Sequence, residues 1–82
     1  MAEARFQLLS RPNCHLCEEM QKLLEQVLPR HGEEYVVEDV DSRPDWRQRF
    51  GEVIPVLLRD GRAVAKIGLN RRRLERIVKE RR

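Results

Sequence analysis

Apolar positions along this chain fall into short blocks whose period switches between that of strands and that of helices. Residues 5–9, with Phe6, Leu8 and Leu9, read as a first strand, and Pro12 and Asn13 break it. Leu16, Met20, Leu23, Leu24 and Val27 then recur at the spacing of an amphipathic helix. Glu18 and Glu19 occupy its first turn, where the dipole favours acids, and Pro29 and Gly32 end it. Tyr35, Val36, Val37 and Val40 mark a second strand over residues 34–40. Ser42 followed by Pro44 suggests a helix start. That short helix carries Trp46 and Phe50 on one face as core residues and stops at Gly51. The apolar run 53–58, interrupted by Pro55, predicts a third strand. Asp60-Gly61 predicts a hairpin into a fourth strand over residues 63–67. Asn70 fits the N-cap of a last helix, with Leu69 and Leu74 spaced as a hydrophobic staple. Leu74, Ile77 and Val78 form that helix's buried stripe.

The predicted order is therefore β-α-β-α-β-β-α, an α/β class. With 82 residues and no repeat or linker, the chain reads as one domain, 1–82. No apolar run approaches the ~20 residues a spanning helix needs, and the first residues lack a secretory pattern. The expectation is a cytoplasmic protein, with no membrane contact. The net charge of +3 is unevenly spread. Residues 70–82 hold seven Lys/Arg against two Glu, a local +5, and the remainder is −2. Such a helix is a solvated face or a contact for an acidic partner or nucleic acid. It lacks the aromatic residues that stack on bases, so nucleic acid is not the expected partner.

Chemistry concentrates in Cys14-His15-Leu16-Cys17, at the junction of the first strand and the first long helix. A close cysteine pair in a reducing compartment is redox-active or metal-binding rather than a structural staple. At a helix N-terminus the unsatisfied N–H groups and the dipole favour the thiolate, which is the nucleophile of disulfide exchange. A separation of two residues lets the second sulfur reach back, so Cys14 would attack from the lip and Cys17 resolve from within. His15, if protonated, would favour the thiolate further. Arg11 would add positive field on the approach side. Three other readings compete: half of a zinc site, two inert buried thiols, and an iron–sulfur cluster bridged between chains. Besides the cysteines only His15 and His31 offer soft ligands, and His31 reads as a loop residue.

These residues resemble the thioredoxin superfamily, specifically glutaredoxin-like proteins, over nearly the whole chain. The resemblance rests on the element order, the cysteine pair after the first strand, Val53-Ile54-Pro55 before the third, and the Gly68-Leu69-Asn70 entry to the last helix. Arg11-Pro12-Asn13-Cys14 also matches a basic residue and proline ahead of the family's first cysteine. It implies a thioredoxin/glutaredoxin fold with a four-stranded mixed sheet and helices on both faces. It further implies a cis Ile54–Pro55 bond, tolerable because X–Pro bonds lose only ~0.5–1 kcal/mol in cis. The Ile54 backbone would then align an extended thiol peptide. The implied function is a monomeric thiol–disulfide oxidoreductase with catalytic Cys14 and Cys17, and with Arg11, His15, Ile54 and Pro55 tuning or aligning. A protein disulfide or glutathione would be the substrate, glutathione serving as co-substrate, with no bound cofactor or metal. Arg47 or Arg49 would either meet a carboxylate such as that of glutathione or stand solvated. Two segments differ from the family pattern: His15-Leu16 replaces Pro-Tyr between the cysteines, and Gly68-Leu69-Asn70 replaces Gly-Gly-x-Asp. The alternatives are a non-enzymatic binding module with a basic last helix, or a dimeric metal or iron–sulfur carrier.

Overall fold

The computed structural model describes residues 5–80. Its elements are β1 (Phe6–Ser10), α1 (His15–Val27), β2 (Tyr35–Asp39), α2 (Pro44–Phe50), β3 (Val56–Arg59), β4 (Arg62–Lys66) and α3 (Arg71–Lys79). Short 3-10 turns, Leu28–His31 and Val40–Ser42, follow α1 and β2. The strands lie in the order β2-β1-β3-β4, with β1 parallel to β2 and antiparallel to β3. This is the expected mixed sheet. Strand alternation sends Phe6, Leu8 and Leu57 to one face, where α1 and α3 supply Met20, Leu24, Leu74 and Ile77. Leu9, Val56 and Leu58 face the other way, against Val40, Trp46 and Phe50. One sheet thus carries two apolar layers and helices on both faces.

Several expectations shift in detail. The helix start read at Ser42 and Pro44 falls at Pro44, with Arg43 ahead of it making no side-chain cap bond, and residues 40–42 form a 3-10 turn in which Asp39 accepts the Asp41 N–H. Strand β3 starts only at Val56, after a cis Ile54–Pro55 bond. Val36 and Val37 are exposed because β2 is an edge strand. Leu16, read as part of the apolar stripe, is 50% exposed. The buried face of α1 runs instead through Cys17, Met20, Leu24 and Val27, one residue round the helix. The hairpin is tight, with positive φ at both Asp60 and Gly61, the pairing a type I′ turn requires. Asn70 caps α3 as expected, accepting the Arg73 N–H at 2.8 Å. Arg81 and Arg82 of the basic terminus lie outside the described residues.

Buried Arg59 closes the other end of α3. Its guanidinium donates to the carbonyls of Ile77 and Glu80 and lies over the Phe6 ring. A cation on the last carbonyls of a helix meets both their unfilled acceptors and the negative end of the dipole.

Candidate active site

Register brings the candidate residues together. Leu9 pairs with Val56, so the chain leaving β1 and the chain entering β3 meet at one end of the sheet. The first carries Arg11 to Cys17 and the second Ile54-Pro55. Ser10 pairs with Asp39 across the parallel ladder, which brings Asp41 to the same end. The N–H of Ile67 donates to the Pro55 carbonyl at 2.7 Å and adds the segment between β4 and α3.

Cys14 is the N-cap of α1 in extended conformation, and its Sγ accepts the N–H of Cys17 at 3.1 Å. A sulfur here does what a Ser or Asp oxygen does at other N-caps, which favours negative charge on it. The two sulfurs are bonded to each other, with the Cα atoms 5.2 Å apart. Cys14 is half-buried, whereas Cys17 is only 4% exposed. An incoming group therefore meets Cys14 first. His15 projects into solvent from the first turn and lies 3.4 Å from Glu19, one turn on.

Arg11 has a different place from the one its sequence position suggests. Its Nε and Nη2 bind both oxygens of Asp41, at 2.8 and 3.0 Å, and its Nη1 donates to the Gly51 carbonyl at 2.8 Å. The bidentate bond to Arg11 is the main reason the Asp41 carboxyl is held below its ordinary value. The charge expected to add a positive field on the approach side is matched by a carboxylate, and Arg11 ties the cysteine loop to the end of α2. Gly51 permits this approach: a Cβ there would lie 2.5 Å from the Arg47 carbonyl oxygen and 3.1 Å from Arg11 Nη2. Arg47 and Arg49 are exposed on α2, and Arg49 stacks over Phe50 at 4.7 Å. His31 is part of the fold rather than a ligand, its Nε2 2.7 Å from Glu75 Oε1 on α3. Among the described residues no group of three or more His, Cys, Asp or Glu gathers as a metal site would. None of their helices is long and apolar enough to cross a membrane.

Two residues escaped the sequence reading. Ile67 has φ of +70° and is 51% exposed. Its turn is closed by the Gly68 N–H on the Lys66 carbonyl at 2.7 Å. A β-branched residue in this region costs on the order of 1–3 kcal/mol. Leu16 is the other, exposed between the cysteines. Together they border an open groove of about 680 Å³ that runs along α1 from His15 to Gln26. The signal for Leu16 was its place inside the Cys pair; nothing in the sequence announces the backbone of Ile67.

A mixed sheet with helices on both faces, and a cysteine pair capping the first helix, define a protein of the thioredoxin superfamily. Residues 5–80 match the model of the Glutaredoxin-like domain (DUF836), and the chain belongs to that family. Among curated proteins, none matches. Solved structures of similar fold include protein Ne2328 from Nitrosomonas europaea, 21% identical, with a TM-score of 0.76 over 94% of both chains. A structural-genomics target from X. campestris is 23% identical, with a TM-score of 0.73 over 89% of this chain and 93% of its own. Mitochondrial thioredoxin 3 from Saccharomyces cerevisiae, in oxidized form, is 30% identical, with a TM-score of 0.61 over 90% of this chain and 74% of its own.

Proposed function

We propose that this protein is a thiol–disulfide oxidoreductase working through Cys14 and Cys17. The observation that carries the reading is the half-buried Cys14 sulfur, which accepts the Cys17 N–H at a helix N-cap and is bonded to a buried partner sulfur. In the reduced protein the Cys14 thiolate attacks one sulfur of a substrate disulfide. A mixed disulfide forms, and the departing thiolate takes a proton from water. Cys17 then loses its proton and attacks Cys14 Sγ, which closes the Cys14–Cys17 bond and releases the second substrate thiol. Two electrons pass from the protein dithiol to the substrate, and an external thiol reductant returns them.

The chain's own groups divide the work. The N-cap bond and the dipole of α1 favour the Cys14 thiolate. Neither the N–H nor the C=O of Ile54 is engaged in the backbone bonding of the described residues, so both are open to an extended substrate strand. Pro55 fixes the neighbouring segment through its carbonyl bond to Ile67. Arg11 acts as a brace for the loop. Glutathione and protein disulfides both fit this chemistry.

The test is a redox titration of the metal-free protein in glutathione buffers, read by thiol alkylation and mass spectrometry. The reading requires a reversible two-electron transition between about −300 and −120 mV. A pair that forms no intramolecular disulfide across that range sinks it.

A further inference from the structure

We infer that the groove between α1 and residues Ile67 to Leu69, continued at its far end by Arg71 at the start of α3, docks an acidic polypeptide segment that carries its disulfide to Cys14. The inference rests on the redox reading above and names its substrate class.

Length comes first. From His15 to Gln26 the groove follows α1 for roughly 16 Å, at 1.5 Å per residue. An extended segment of about five residues fills that span. Its near end lies inside the cysteine motif, at His15 and Leu16. The apolar border comes next. Leu16 and Ile67 are both about half exposed beside it, and Ile67 is held there at a φ unfavourable to its own side chain. A local rule broken in the backbone to present an apolar side chain points to use.

Charge identifies the partner. Arg71, Arg72 and Arg73 are the first three residues of α3, at the positive end of its dipole, and no acid accompanies them in that turn. Arg72 and Arg76 add a like-charge pair one turn apart, which weakens a helix. Among the described residues no basic side chain of α3 forms a salt bridge, while the helix's Glu75 is engaged by His31. Arg71 Nη2 donates to Gln26 Oε1 at 2.7 Å, which joins this cationic turn to the far end of the groove. Lys22 borders the groove as well, and its one carboxylate, Glu19, sits against His15. An acidic chain answers these charges. A polynucleotide would also, but the groove lining holds no aromatic ring for a base to stack on.

The experiment titrates the full chain into fluorescein-labelled peptides that differ only in carrying Glu or Lys around a central Leu-Ser, with Ser in place of the substrate cysteine. Anisotropy is read at about 10 mM and 150 mM salt, where the screening length falls from roughly 30 to 8 Å. The acidic peptide binds roughly tenfold tighter than the basic one at low salt, as two or three exposed ion pairs provide, and the gap narrows at high salt. R71E/R72E, which reverses the charge of the arginine bonded to Gln26 at the groove's far end, abolishes the preference. It folds, because acids suit the first turn of a helix. The charge-matched R30E/R62E retains the preference. Equal binding of the two peptides overturns the inference, as does a preference that survives R71E/R72E. Tighter binding of a single-stranded oligonucleotide than of the acidic peptide overturns the polypeptide occupant. Because the peptides hold no cysteine, failure here is distinct from failure of the redox titration. An inert cysteine pair would remove disulfide delivery, while the anisotropy still decides the surface.

Discussion

Cys14 Sγ accepts the backbone N–H of Cys17 at 3.1 Å, so the more accessible sulfur of the pair is also the one the helix N-terminus stabilises. Under the proposed redox function, that asymmetry assigns Cys14 as nucleophile and Cys17 as resolver. Cys14→Ser should lower disulfide reduction to the uncatalysed level. Cys17→Ser should still form a mixed disulfide through Cys14 and then accumulate it. Mass spectrometry of both variants after exposure to a disulfide checks this. Adduct on Cys17 in the Cys14→Ser protein, with activity retained, would reverse the assignment.

Much of this was legible in the chain because the signals are local. Asp60-Gly61 specifies its own turn, and Asn70 its own helix start. The cysteine motif announces its place by sitting between a strand and a helix. What escaped depends on distant partners or on the backbone. Arg11 meets Asp41 and Gly51 only once β1, β2 and α2 have assembled, so its charge read as free. Leu16 shares the helical period of the core, yet Cys17 takes the inward position. Val36 and Val37 look like interior residues until β2 is seen at the sheet edge.

The Arg11–Asp41 pair makes a pH-dependent contribution whose sign follows from its geometry. The folded Asp41 carboxyl lies below its ordinary value of 3.8, chiefly through the hydrogen bonds from Arg11. A depressed carboxyl contributes stability that is full above the unfolded value and lost as pH falls through the folded one. Asp41→Asn should therefore be less stable than wild type at neutral pH. The gap should close below about pH 3.8 as Asp41 takes up its proton. Urea midpoints of both proteins between neutrality and strong acid measure this, and a gap that stays constant with pH contradicts it.

Arg59 works at the opposite end of the sheet, where it pairs with Phe6 in the β1–β3 register. Its replacement by Met keeps most of the buried volume but leaves the Ile77 and Glu80 carbonyls without this donor. Hydrogen bonds from a charged group contribute about 1.5–3 kcal/mol, so a loss of about 2–3 kcal/mol is expected. For a domain of this size that lowers Tm by roughly 10 °C or more. The redox midpoint of the cysteine pair should not move, since the cysteines follow the other end of β1. Calorimetry and the glutathione titration separate the two effects, and a shifted midpoint would show that α3 reaches the cysteines through Arg59.

Ile67 allows the last prediction, because fold and use pull it in opposite directions. An Ile→Gly change in a strand ordinarily destabilises, through lost burial and the greater freedom of glycine in the unfolded chain. Here half of the side chain is already in water, and φ of +70° is one that glycine adopts without penalty. Relief of the left-handed conformation, about 1–2 kcal/mol, offsets the added unfolded-state entropy of about 0.5–1 kcal/mol. Ile67→Gly should thus leave stability unchanged or raise it by up to ~1 kcal/mol. Yet removing the apolar border opposite Leu16 should weaken a peptide bound along α1, most clearly at high salt where ionic attraction is screened. Denaturant midpoints and peptide affinities measured on the same variant decide the matter. A large stability loss would make Ile67 a packing residue, and unchanged affinity would leave its strained backbone without a role in binding.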